Sequence, residues 1–166
     1  MAEQPVKPIL VFAYGNPSRG DDALGPLLLE QLATKLQGAE LAHHIDLLTD
    51  FQLQIEHSLD MTDRQQVVFV DASVSEKTNF CFQPLHGQRD YSYSSHALSP
   101  AALLELYEQL HPTQPVAAYQ LGIRGYDFKL GQPLSAAASH NMNQALDYLY
   151  AWLQQQNVSS GHGSMS

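Results

Sequence analysis

Apolar residues in this chain fall into short unbroken runs, separated by longer stretches where they recur every three or four positions. Ile9-Leu10-Val11-Phe12-Ala13 is a continuous apolar run, the mark of a strand covered on both faces. It ends in Tyr14-Gly15-Asn16-Pro17-Ser18-Arg19-Gly20, a stretch dense in turn residues. Leu24, Leu27, Leu28, Leu32 and Leu36 then predict a helix, with Asp21 and Asp22 at its start, where carboxylates accept from free amides and suit the positive end of the dipole. Leu41 to Leu48 alternates loosely and reads as an edge strand that carries His43 and His44. A short helix is expected around Ile55 to Leu59. Val67-Val68-Phe69-Val70 is a second buried strand and runs directly into Asp71.

Phe80 to Leu85 is a further strand candidate. Ser99-Pro100 announces a helix, with a capping hydroxyl followed by proline at the first helical position. Its apolar face is read as Leu103, Leu106, Tyr107 and Leu110. Val116 to Ile123 predicts another strand. Met142, Ala145, Leu146, Leu149 and Leu153 predict a long final helix. Strands alternating with helices imply right-handed crossovers. The expected fold is a single-domain α/β architecture, a mostly parallel twisted sheet with helices on both faces. The domain is placed at 1–156, and the Ser/Gly-rich stretch 157–166 is expected to be a disordered tail. In such sheets ligands collect at the carboxyl ends of the strands, so the residues just after each strand are the ones to interrogate.

Composition narrows the function. The 166 residues carry 8 Lys plus Arg against 17 Asp plus Glu, a formal net charge of -9. Nucleic acid and anionic membranes both demand a basic footprint, so neither is expected as a partner. No window approaches the run of roughly 18 apolar residues that a membrane span needs, and the N-terminus lacks the regions of a signal peptide. The single cysteine, Cys81, cannot form an internal disulfide or anchor a CxxC metal site. A cytoplasmic location is the expectation.

Three segments hold polar groups that can converge at strand ends. They are Gly15 to Gly25 with Asp21 and Asp22, then Asp71, then Ser94-Ser95-His96-Ala97-Leu98-Ser99-Pro100. Two carboxylates and one imidazole on three elements suit a divalent metal with open positions, with no choice among Zn, Ni, Mn and Fe(II). Each group also has a plain structural reading: the acid pair as helix caps, Asp71 as the cap of the next turn, His96 as a loop histidine. The case rests on all three lying where a parallel sheet gathers its ligands. HExxH, GxSxG, GxGxxG and the P-loop are absent.

The stretch Gly15-Asn16-Pro17-Ser18-Arg19-Gly20-Asp21-Asp22-Ala23-Leu24-Gly25, followed by Val70-Asp71-Ala72 and Ser95-His96-Ala97-Leu98-Ser99-Pro100, resembles the [NiFe]-hydrogenase maturation endopeptidases in order and spacing. So do Leu121-Gly122-Ile123 and Gly131-Gln132-Pro133-Leu134-Ser135. The resemblance runs from about Ile9 to Leu153 and looks closest to the branch serving bidirectional, NAD(P)-linked hydrogenases. It implies an endopeptidase that removes a C-terminal extension from the precursor of the [NiFe]-hydrogenase large subunit once nickel is inserted. Nickel would then be borne by the substrate and serve as the recognition element. The family's metal-contacting residues fall on Asp22, Asp71 and His96, which would be both metal ligands and catalytic residues, with Asp21, Asn16 and Arg19 as possible accessories. The first of these acids is often Glu in other branches; Asp22 is shorter.

Two readings from other classes compete. A response-regulator receiver has an acidic pair after its first strand and a phosphoacceptor aspartate after its third, which Asp21, Asp22 and Asp71 mimic. However, the turn Gly15 to Asp21 separates Asp22 from the strand end, and Arg124 stands near the lysine expected after the fifth strand. A non-catalytic chaperone of the precursor or its nickel would use the same three residues as the protease.

Overall fold

The computed structural model describes residues 5–88 and 98–156. Five strands, β1 (Ile9–Tyr14), β2 (Ile45–Asp50), β3 (Gln66–Ser73), β4 (Phe80–Leu85) and β5 (Ala117–Arg124), form one sheet in the order β2-β1-β3-β5-β4. All neighbours run parallel except β4, which pairs antiparallel with β5 at one edge. Three helices, α1 (Leu24–Leu36), α2 (Pro100–Leu110) and α3 (Ala136–Gln154), cover it. The α/β fold expected from the sequence is the one observed. A receiver's doubly wound sheet places its strands in the order 2-1-3-4-5; the antiparallel β4 at the edge here departs from that layout.

The strands alternate between two cores, as the period of two requires. Ile9, Val11, Ala13, Val68, Val70, Leu121 and Ile123 face α1 and α3. Leu10, Phe12, Val67, Phe69 and Ala118 face α2 and the 3-10 helix Ile55–Met61. Because both faces are covered, β1 reads as an uninterrupted apolar run rather than an alternating one. The connection from β1 to β2 passes over the first face through α1, and that from β2 to β3 passes over the second. The chain therefore leaves β1 toward one neighbour and returns as the other. That reversal opens a crevice beyond the carboxyl ends of β1 and β3, the topological switch point where such sheets bind their ligands.

Three sequence expectations shift. Glu40–His44 forms a 3-10 helix, and β2 begins only at Ile45, because its partner β1 offers six residues to pair and the register runs from Ile9↔Ile45 to Tyr14↔Asp50. His43 and His44 thus lie outside the sheet. On α2 the buried residues are Pro100, Leu103, Leu104 and Tyr107, while Leu110 points into solvent. Ser99 does cap α2, accepting the Ala102 amide at 3.0 Å. No helix among the described residues is long and apolar enough to cross a membrane. The tail at 157–166 lies outside the described residues.

Leu32 of α1 is fully buried in the α1/α3 core. Truncation to Ala leaves a void there, and urea denaturation should show a loss of roughly 2–5 kcal/mol.

Candidate active site at the carboxyl edge of the sheet

The crevice is built by the turn that follows β1. Gly15 has φ +148, and a Cβ placed on it would lie 2.1 Å from the carbonyl oxygen of Asp22. Only glycine lets the chain fold back on itself so closely. The Gly15 amide donates to the Asp50 carbonyl at the end of β2, 3.1 Å away, which ties the turn to the sheet. The amide of Asn16 donates to Asp22 Oδ2 at 2.7 Å, and Asn16 Oδ1 accepts the Ser18 amide at 2.9 Å. Asp22 sits half-buried in the 3-10 helix Gly20–Ala23. The expected role of the acid pair as caps of α1 is not what the chain does: the α1 N-cap is Ala23, without a side-chain bond, and Asp22 reaches back into the turn instead.

Asp71 enters from β3. It shares the face of Val67 and Phe69, and on the neighbouring strand Tyr14 shares the face of Leu10 and Phe12. The Tyr14 hydroxyl therefore meets the carboxylate and donates to Asp71 Oδ2 at 3.0 Å. The other oxygen, Oδ1, is buried and has no hydrogen-bond partner. Burial pushes the Asp71 carboxyl up to about 6. The Tyr14 bond and the nearby Gln120 side chain pull it down, and the charges of Glu76 and Asp22 push it further up. Such a carboxyl can hold or release a proton near neutrality.

Asp21, next to Asp22 in sequence, has a different fate. It is fully buried. Its Oδ2 accepts the amides of Tyr126 (2.7 Å) and Asp127 (3.1 Å) and the Ser135 hydroxyl (2.8 Å), and its Oδ1 accepts the Ser135 amide (2.8 Å). Burial works against its charge, but these four donors outweigh it and hold the carboxyl below its usual range. The same Ser135 hydroxyl caps α3 by accepting the Ala138 amide. Asp21 is thus the tie between the turn and the segment leading from β5 to α3. Gly20 (φ +53) belongs to that tie: a Cβ there would lie 2.2 Å from the Asp127 carbonyl oxygen. The three acids expected to crowd one edge are two, with Asp21 turned inward.

Beyond Asp71 the sheet face loses its apolar cover. Gln120 and Gly122 of β5 and Cys81 and Gln83 of β4 continue the same face. With Ser73, Ser75 and Glu76 they line a polar cleft of about 180 Å³. The missing side chain of Gly122 makes room for Glu76, whose Oε2 lies 3.1 Å from where a Cβ would stand. Sequence reasoning passed over Tyr14 and Glu76. The aromatic at the last position of β1 carried a signal, since it shares a face parity with Asp71; Glu76, in the loop after β3, carried none.

Of the sequence-predicted residues, Asp22 and Asp71 lie near enough for the charge of Asp22 to raise the Asp71 carboxyl. Asn16 contributes its backbone, and Arg19 is exposed, with its carbonyl accepting the Asp22 amide. His96 lies outside the described residues. Among the described residues no three His, Cys, Asp or Glu side chains converge as a metal site. A larger cavity of about 460 Å³ lies at the opposite end of the sheet, between α2 and residues Pro84 to Gly87 and Val116 to Tyr119, away from the switch point.

Two substitutions separate the adjacent acids. Asp21→Asn turns an amide group against buried donors and should cost roughly 3 kcal/mol or more in urea denaturation, whereas Asp22→Asn should cost about 1 kcal/mol or less. For Asp71 the folded value near 6 lies above the unfolded value of 3.8, so the native state binds the extra proton between them. The associated stability is fully present below the unfolded value and is lost as pH rises through 6. At about 1.36 kcal/mol for each pH unit between those two values, Asp71→Asn should be roughly 2–3 kcal/mol more stable than the parent at pH 8, and the gap should close by pH 4. Thermal unfolding across that range reads it.

No family model and no curated protein matches the sequence. Solved structures do match the fold. The [NiFe] hydrogenase maturation protease HycI from Thermococcus kodakarensis superposes with a TM-score of 0.67 at 20% identity, over 90% of this chain and 94% of its own. The hydrogenase maturating endopeptidase HybD from E. coli gives 0.68 at 21% identity, over 90% and 94%. An endopeptidase from E. coli gives 0.69 at 24% identity, again over 90% and 94%. At these identities the likeness is one of fold: the chain has the fold of the hydrogenase maturation endopeptidases across nearly its whole length.

Proposed function

We propose that this protein is a hydrogenase maturation endopeptidase. It removes the C-terminal extension of the [NiFe]-hydrogenase large-subunit precursor after nickel insertion. The observation that carries the reading is the fold that the solved maturation proteases share, with Asp71 and the Asp22 turn both at the carboxyl ends of β1 and β3. The nickel arrives in the substrate, where Asp22, Asp71 and His96 contact it. Two carboxylates suit it as oxygen donors, and the buried Asp71 Oδ1 without a partner is an acceptor waiting for a cation.

Held by these residues, the nickel would supply Lewis-acid chemistry at the scissile carbonyl or at a water. Because the substrate's own nickel completes the site, cleavage is conditional on a loaded precursor. The Gly15 to Gly25 stretch favours the branch serving bidirectional, NAD(P)-linked hydrogenases.

The test is mass spectrometry of the purified precursor after incubation with the protein. Nickel-loaded precursor should lose a defined C-terminal peptide, nickel-free precursor should stay intact, and Asp22→Ala, Asp71→Ala and His96→Ala should each slow processing by about 100-fold or more. A stable complex without cleavage would instead make the protein a chaperone of the precursor. Full activity in any one variant removes that residue from the site.

A further inference from the structure

We propose that Tyr14 is a positioning residue that makes Asp71 a one-sided ligand. Its hydroxyl occupies one oxygen of that carboxylate and leaves the other for a divalent cation. The inference rests on the cation-binding part of the proposed function. Three consecutive residues, Tyr14, Gly15 and Asn16, form the exit of β1. The first donates through its hydroxyl to Asp71 Oδ2 at 3.0 Å, and the third through its amide to Asp22 Oδ2 at 2.7 Å. Gly15 between them brings the two donors round, because its backbone packs directly against Asp22. The result is that Asp71 Oδ1 stands buried and unpartnered.

The phenol is suited to this task. Its ring lies edge-on to Phe12 with centroids 6.3 Å apart, which restrains its swing. Without that donor the Asp71 carboxylate is free to rotate toward Gln120 or to offer both oxygens at once. Partners of this kind, which orient a metal ligand without touching the metal, characteristically change affinity by 10- to 100-fold when removed.

Tyr14→Phe keeps the ring and deletes the donor. Isothermal titration of the free protein with nickel chloride should give one equivalent bound to the parent and an affinity about tenfold weaker in Tyr14→Phe, with Tm within a few degrees of the parent. In an Asp71→Asn background the same substitution should have no further effect, because the phenol acts through that carboxylate. Equal affinity in the parent and Tyr14→Phe overturns the proposal. So does an unchanged penalty in the Asp71→Asn background, which would make Tyr14 a packing residue only. A parent protein that takes up no nickel overturns it as well. Processing of the precursor is read separately: cleavage without nickel uptake by the free protein sinks this inference alone, and nickel uptake without cleavage sinks the protease reading alone.

Discussion

Strands β1 and β3 lie side by side in a register that pairs Ala13 with Val70, and the carboxyl edge of the molecule depends on that pairing. One residue further along each strand stand Tyr14 and Asp71, on the same face by the alternation of the pleat. A slip of one residue would send one of them into the α1/α3 core and the other toward α2, leaving a phenol and a carboxylate with nothing to meet. The register is held by Val11, Ala13, Val68 and Val70 on one side and Phe12 and Phe69 on the other, all without solvent exposure. The apolar core thus does more than stabilise the sheet. It sets the coordinates of the polar groups at its end.

The three aspartates of this region illustrate how differently a carboxylate can be used. Asp21 is surrounded by donors and stabilises the fold in its ionised form. Asp71 is only partly buried but has one enclosed oxygen unsatisfied, and its ionised form works against stability. A chain selected for stability alone would not keep such a group at the end of its central strand, and trade-offs of this sort mark functional sites. Asp22 lies between these extremes, half-buried and held by one backbone amide.

Much of the fold could be read from the sequence. The runs 9–13 and 67–70 declared two buried strands, and Ser99-Pro100 declared a helix start, because each depends on a local rule. What escaped depends on distant partners. The antiparallel direction of β4 is set by β5, more than thirty residues later, rather than by any turn beside it. Glu40–His44 alternates like a strand but has no edge of β1 left to pair with. Asp21 and Asp22 are the same residue type in adjacent positions, and nothing local says which one turns inward. In a 3-10 helix successive side chains point roughly 120° apart, so one faces the β5–α3 segment and the other the crevice. The residues bringing donors to Asp21 are more than a hundred positions away.

The contact between Gly15 and the backbone of Asp22 also limits how such a site can change. With a carbonyl oxygen 2.1 Å from where a Cβ would stand, the main chain at both positions is locked. How far a carboxylate projects from this wall into the crevice is then adjustable only through the length of the side chain at position 22. An aspartate keeps the charge close to the turn, and a glutamate would carry it one methylene further. Change in this crevice therefore has a narrow path: the scaffold stays, and the reach of one acid is what can be tuned.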